Sequence, residues 1–255
     1  MDEQPLSGRV ALVTGGSRGI GRAICLALAA DGADVAVNYR RDADAAAEVV
    51  AEVENLGRRA IAVGASVDDA EADEAMVARV VDELGGMSIL VNNAGQASRG
   101  NSVVDTDPAE VAKLLGTHAI GAHHVCRLAL PHLRDAERGD VVFVSSIETL
   151  HYAARHGPYA MAKAAMEALA FVLAKEELQN RIHVNIVAPG LVKTEMGRRL
   201  VGAVGVDIDE IDDSMPFKRV CRPEDVADVV RYLVGPGASY VTSQKIVVDG
   251  GQGLR

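Results

Sequence analysis

Residues 9–21, Arg9-Val10-Ala11-Leu12-Val13-Thr14-Gly15-Gly16-Ser17-Arg18-Gly19-Ile20-Gly21, pass from a short apolar run straight into a glycine turn, and Ile24, Leu26, Leu28 and Ala29 follow at helical spacing. The pattern reads as strand, turn, helix. Gly15, Gly19 and Gly21 let the backbone turn tightly and come close to a ligand, so that amides and a helix N-terminus aim at an anion. A diphosphate suits that place, and the position between a strand and a helix points to a dinucleotide.

The same alternation recurs along the chain. Strands are predicted at 34–39, 60–64, 88–91, 141–145, 181–187 and 245–248, with helices between them at about 42–56, 69–84, 107–132, 157–180 and from Arg222 onward. No internal repeat or linker interrupts the series, which predicts one doubly wound domain over residues 1–255 with a seven-stranded parallel sheet flanked by helices. The segment 191–220 differs, mixing Gly197, Gly202 and Gly205 with the acidic run Asp207 to Asp213; it reads as a mobile flap beside the site.

Net charge bounds the partners. At −10 over 255 residues, with no basic stripe, the chain is not built for nucleic acid or an anionic membrane, and small molecules become the expected ligands. Cys25, Cys126 and Cys221 are far apart, without metal-ligand spacing, and read as reduced thiols of a cytoplasmic protein. The opening MDEQPLSGR lacks the basic and apolar segments of an export signal, and no apolar run reaches the ~20 residues of a membrane span.

Two positions bear on the choice of dinucleotide. A free ribose 2′-hydroxyl calls for an acid at the end of the second strand, and a 2′-phosphate calls for positive charge. Tyr39 and Arg40 stand there, with Arg18 in the glycine turn, which favours NADP(H); NAD(H) stays open. At the end of the fourth strand, the amides of Asn92-Asn93-Ala94-Gly95 can bond neighbouring backbone and brace the site.

The stretch 157–169, GPYAMAKAAMEAL, puts Tyr159 and Lys163 on one helix face, where an ammonium acts on a phenol. A fixed positive charge favours the phenolate and brings a tyrosine towards the range of acid–base work. No metal is expected. His123 and His124 are adjacent and diverge on a helix, His151 and His156 lie without a matching acid motif, and Asp207 to Asp213 does not follow a calcium-loop pattern.

Four ordered motifs resemble the short-chain dehydrogenase/reductase family over essentially the whole chain: Thr14-Gly15-xxx-Gly19-x-Gly21, Asn92-Asn93-Ala94-Gly95, Ser146 before Tyr159-xxx-Lys163, and Pro189-Gly190-x-Val192-x-Thr194. The resemblance implies a Rossmann-type oxidoreductase that interconverts a ketone and a secondary alcohol by hydride transfer. Tyr159 would be the acid or base, Lys163 its partner and a contact of the nicotinamide ribose, and Ser146 the holder of the substrate oxygen. Gly15, Ser17, Arg18, Gly19, Ile20, Gly21, Tyr39, Arg40, Ser66, Val67, Asn93, Ala94, Gly95, Tyr159, Lys163, Pro189, Gly190, Val192 and Thr194 would contact the cofactor. Among family members the chain looks most like the 3-oxoacyl-carrier-protein reductases. That implies a small or carrier-bound carbonyl substrate and a homotetramer or dimer, with the Asp107 and Tyr159 helices in one interface. A carrier would need a local basic patch, with Arg127, Arg134 and Arg155 as candidates.

This chain departs from the family pattern at three places. His118 stands where the family carries a catalytic Asn, so it either substitutes for that residue, relays protons itself or only fills space. Ser66 stands where an Asp commonly binds the adenine amino group, and Ser243 replaces a glycine in the Tyr240 to Val248 ending. His118 and Ser66 motivate a second reading, a cofactor-binding regulatory protein without turnover; a third is an NAD-dependent secondary-alcohol dehydrogenase.

Overall fold

The first apolar run forms strand β1, Val10–Val13, and the residues after the glycine turn form helix α1, Gly19–Ala30. These belong to a computed structural model that describes residues 4–203 and 205–254. Five further pairs of strand and helix follow: β2 Asp34–Tyr39 and α2 Ala43–Asn55; β3 Ala60–Gly64 and α3 Ala70–Leu84; β4 Ile89–Asn92 with α4 Pro108–Leu115 and α5 Gly121–Asp135; β5 Gly139–Val144 with the short α6 Glu148–His151 and the long α7 Gly157–Glu176; β6 Ile182–Pro189 with α8 Glu195–Gly202 and α9 Pro223–Val234. Strand β7, Lys245–Val248, closes the series.

All seven strands are parallel, in the order β3-β2-β1-β4-β5-β6-β7. The largely apolar central strands follow from burial of both faces, while the edge strands β3 and β7 are only partly buried. Leu12, Ala36, Leu90, Val141, Phe143 and Ile186 point to one side, against Met76 and Val80 of α3, Val125 and Ala129 of α5 and Met166 and Leu173 of α7. Ala11, Val13, Val35, Val37, Val91 and Val144 point to the other, against Ile24 and Leu28 of α1, Val49 of α2 and Val230 of α9. Phe143 is fully buried in the centre, and truncating such a ring to Ala costs about 3–5 kcal/mol.

Side-chain caps start α2, α3, α4 and α8. Asp42 accepts from Ala45 N–H, Asp69 from Glu71 and Ala72 N–H, and Asp107 from Ala109 N–H, with Pro108 in the first turn. Helix α1 is different: no side chain caps it. The strand order reverses between β1 and β4, so the glycine turn and the Asn92–Gly95 segment flank the crevice where doubly wound sheets bind ligands.

Two expectations are corrected. The helix predicted at 107–132 is two helices joined by a π turn, Gly116–Ile120. Its cause is close packing: a Cβ on Gly121 would lie 2.1 Å from Val67 O, so the helix is pressed on the backbone after β3 at that point. The segment 191–220, expected as a loose flap, begins with the regular helix α8, capped by Thr194, whose Oγ1 accepts from Gly197 N–H. Its acidic run is tied back, with Asp209 on Lys193 and Arg198 and Asp212 on Val220 N–H.

Candidate active site

The glycine turn is held from two sides. Asn93 Nδ2 donates to Thr14 O at 2.8 Å and Gly15 O at 3.1 Å, while Thr14 Oγ1 accepts from the N–H groups of Asn93 and Ala94. From the other side Asn38 Oδ1 accepts from Gly15 N–H, and its Nδ2 donates to Val63 O and Ala65 O. Sequence reasoning assigned the first brace and missed the second. A buried Asn inside an apolar strand was the available signal.

The turn presents bare backbone. Gly15 and Gly19 lie at φ +63° and +54°, and a Cβ on Gly21 would stand 2.2 Å from Gly15 O. Thr194 closes the turn on one side, since a Cβ on Gly19 would meet its Cγ2 at 3.3 Å. With Ser17 buried, Ile20 half-buried and the first amides of α1 free of side-chain caps, this cradle fits a dinucleotide diphosphate.

At the end of β2 the Tyr39 ring lies over Gly64, its hydroxyl 3.1 Å from where a Cβ there would stand, and Arg40 beside it is exposed. The nearest acid, Asp42, is occupied in capping α2. Arg18 pairs with Glu195 at 2.9 Å, both well exposed. An exposed pair of this kind is worth about 0–1 kcal/mol, so a phosphate could displace it.

Ser66 does not stand alone beside buried Val67: its Oγ donates to Asp68 Oδ1 at 2.5 Å. A carboxylate is therefore present two residues after the position where the family pattern places one. Spacing alone could not show that it folds back onto Ser66.

Ser146, Tyr159 and Lys163 converge beyond the carboxyl end of β5. Ser146 Oγ accepts from Glu148 N–H at 3.1 Å, and its hydroxyl acts on the Tyr159 phenol. Lys163 is buried, its Nζ 5.8 Å from the Tyr159 ring centroid and donating to Val144 O at 2.6 Å. Burial pushes the Tyr159 phenol up to about 12, against the bond from Ser146 and with the help of the Glu148 charge. Burial also pulls Lys163 down to about 7, opposed by Glu167. Desolvation thus works against the lowering expected from the lysine, whose ammonium is turned to the Val144 carbonyl.

His118 lies in the π turn, almost fully buried, with its ring edge-on to Tyr159. Its Nε2 stands 2.9 Å from Gln96 O and 3.3 Å from Gln96 N, so it pins the backbone just after Gly95. A Cβ on Gly95 would come within 2.5 Å of the ring. Burial, then the nearby Lys163 charge, holds the imidazole down at about 3, against the bond to Gln96.

Pro189 ends β6, and Gly190 packs against Asp249, where a Cβ would approach Asp249 Cβ at 3.0 Å. Val192 pairs with Cys221 in an isolated bridge. His151 faces Gly253, so the C-terminal turn lies against the substrate side of the cleft. Of the proposed basic patch, Arg134 is paired to Glu177 and Arg127 lies 3.6 Å from Glu74, leaving exposed Arg155. Among the described residues, no cluster of three or more His, Cys, Asp or Glu is arranged to hold a metal ion, and no helix is long and apolar enough to cross a membrane.

Comparison with known proteins agrees with this geometry. A family model described as enoyl-(acyl carrier protein) reductase matches residues 15–252. The chain is 36% identical over 261 residues to versicolorin reductase stcU of Emericella nidulans, covering 98% of this chain and 97% of that protein. It is 34% identical over 245 residues to the 3-oxoacyl-[acyl-carrier-protein] reductase FabG of Staphylococcus aureus, covering 94% and 96%. Among solved structures it is similar to a short chain dehydrogenase from Burkholderia cenocepacia J2315 in complex with NADP, with a TM-score of 0.88 at 38% identity over 96% of this chain and 98% of that one. A dehydrogenase/reductase from Sinorhizobium meliloti 1021 gives a TM-score of 0.88 at 33% identity over 98% and 96%.

Proposed function

The chain belongs to the short-chain dehydrogenase/reductase family, and on that premise we propose that it is an NADP(H)-dependent reductase that converts a ketone, including a 3-oxoacyl thioester, to a secondary alcohol. The observation that carries this reading is the convergence of half-buried Tyr159, Ser146 and buried Lys163, its Nζ 5.8 Å from the tyrosine ring, beside the switch-point crevice. A phenol held protonated is an acid in waiting, which suits reduction.

In this proposal Ser146 Oγ holds the carbonyl oxygen and Tyr159 delivers a proton to it as negative charge develops. Lys163, poised near neutrality, then favours the resulting phenolate and helps return a proton. The glycine turn would hold the diphosphate, Arg18, Tyr39 and Arg40 the 2′-phosphate end, and Ser66 and Val67 the adenine. Asn93, Ala94, Gly95, Lys163, Pro189, Gly190, Val192 and Thr194 would surround the nicotinamide ribose and ring. When bound, the dinucleotide supplies the hydride.

We further place the protein in the cytoplasm as a homotetramer or dimer. Three free cysteines, two of them buried, support the reducing compartment. Half-exposed Ile120 in the π turn and Met161 and Val172 on α7 support an apolar contact between copies. NADPH oxidation against a panel of ketones and 3-oxoacyl thioesters tests the activity. Tyr159→Phe should lower kcat by about 10²–10⁴-fold without weakening NADPH binding. No turnover by the wild type on any substrate, with NADPH bound, would favour a regulatory binder instead.

A further inference from the structure

Behind the three candidate catalytic side chains lies a second polar cluster, buried and composed of residues from four elements. Glu167, one turn after Lys163 on α7, accepts through Oε1 from Ser145 Oγ at 2.5 Å and Thr149 Oγ1 at 2.8 Å. Lys245 Nζ of β7 stands 2.9 Å from both oxygens of the same carboxylate and also donates to Thr149 Oγ1 at 2.5 Å. Ser145, Thr149 and Glu167 are all buried, and the Lys245 side chain is only 15% exposed.

The arrangement has two consequences. Ser145 and Thr149 bracket Ser146, so one carboxylate on the Tyr159–Lys163 helix grips the backbone on both sides of the residue that must face Tyr159. The carboxylate also provides the negative charge that raises Lys163 against its burial. Other groups face the same lysine. Tyr159 lies on its own helix, His118 approaches from the π turn, and Glu148 of α6 acts on Tyr159. Of these, burial holds His118 neutral near pH 7, so the field at Lys163 is set largely by Glu167, and the field of Glu167 is set by Lys245.

We propose that Glu167 is a positioning residue for the reductase site: it clamps the Ser146 segment onto the Tyr159–Lys163 helix, and its charge, balanced by Lys245, fixes the charge state of Lys163. This rests on the roles given to Ser146, Tyr159 and Lys163 above.

Carbon-13 lysine NMR of the cofactor-free protein tests it, with the Lys163 resonance identified by its disappearance in Lys163→Arg. Glu167→Gln keeps an acceptor for Ser145 and Thr149 but removes the charge, and should lower the Lys163 titration midpoint by roughly one unit. Lys245→Gln frees the Glu167 charge and should raise the midpoint. Thr149→Val, which leaves both charges, should move it by less than about 0.3 unit while lowering kcat more than it changes KM. Midpoints that stay fixed in both charge variants, or move in the same direction, overturn the proposal. Should Glu167→Gln fail to fold, the sign of the Lys245→Gln shift decides alone. If the wild type reduces no ketone, the reductase reading fails, and the NMR shifts still decide the electrostatic role of Glu167.

Discussion

The His118 ring stands edge-on to the Tyr159 ring with centroids 5.5 Å apart, and its Nε2 lies 2.9 Å from Gln96 O. The shorter contact to the carbonyl puts the ring proton on Nε2 and leaves Nδ1 a buried acceptor with no partner among the described residues. The side chain therefore braces the Gly95–Gln96 backbone beside the site. Held neutral well below pH 5, it does not exchange a proton between pH 5 and 9.

An Asn amide offers both a donor for Gln96 O and an acceptor for Gln96 N–H, of which the Nε2-protonated imidazole serves only the first. His118→Asn should keep or raise turnover, and His118→Leu should lower it by about tenfold or more. Gly95→Ala, damaging beside the imidazole, should be better tolerated with Asn at position 118, a coupling that a double-mutant cycle on kcat and Tm reads directly. A tenfold loss in His118→Asn would instead give the imidazole a role of its own.

Arg40 is exposed at the end of β2, and Arg18 is held only by a surface pair with Glu195. Charge-assisted bonds to a phosphate are worth about 1.5–3 kcal/mol. Arg40→Ala and Arg18→Ala should each raise the Kd for NADPH by roughly 10–100-fold and leave that for NADH nearly unchanged. Fluorescence titration with both nucleotides measures it. Equal or tighter NADH binding by the wild type would sink the assignment.

Ser66 and Asp68 act as a unit, the hydroxyl donating to the carboxylate. Asp68→Ala should weaken cofactor binding by about 3–10-fold, because it removes the acid that orients Ser66 and can itself accept from an amino group. Ser66→Asp should gain no affinity, since it sets two carboxylates against each other. Calorimetric titration of the two variants distinguishes these outcomes.

Asp73 on α3 is fully buried and neither carboxylate oxygen has a partner among the described residues. Burial, with the charges of Asp69 and Asp68 adding to it, raises this carboxyl to about 7. An acid whose folded value is raised stabilises the fold fully below its unfolded value near 4, and that contribution is lost as pH rises to about 7. The loss is on the order of 4 kcal/mol. Asp73→Asn should flatten this part of the curve, raising Tm relative to wild type at pH 8 and giving little gain at pH 4. Lys163 works in the opposite sense and in another window. Its folded value is lowered, so the penalty for charging it is full below about 7 and is relieved as pH rises towards its unfolded value near 10.5.

The local parts of this molecule were open to reading from the residues. Strands at 34–39, 60–64 and 245–248 form with the predicted bounds, because short apolar runs end at turn residues. The glycine turn and the Tyr159–Lys163 pair were equally visible, since each depends on neighbours within one or two turns of the chain. The split at Gly116–Ile120 was not, because its cause is Val67 O, distant in sequence and set against Gly121 only by tertiary packing.

Charge state was the other property that sequence could not carry. A tyrosine four residues before a lysine suggests a lowered phenol; desolvation pushes the phenol up and the ammonium down, and it depends on everything packed around them. The Glu167–Lys245 pair joins residues 78 apart, and its partners Ser145 and Thr149 come from the segment just after β5. Sequence by itself determined the sheet, the cradle and the identity of the three candidate catalytic side chains. Tertiary structure decided which of them hold their protons, because that depends on distance and burial, which the chain acquires only by folding.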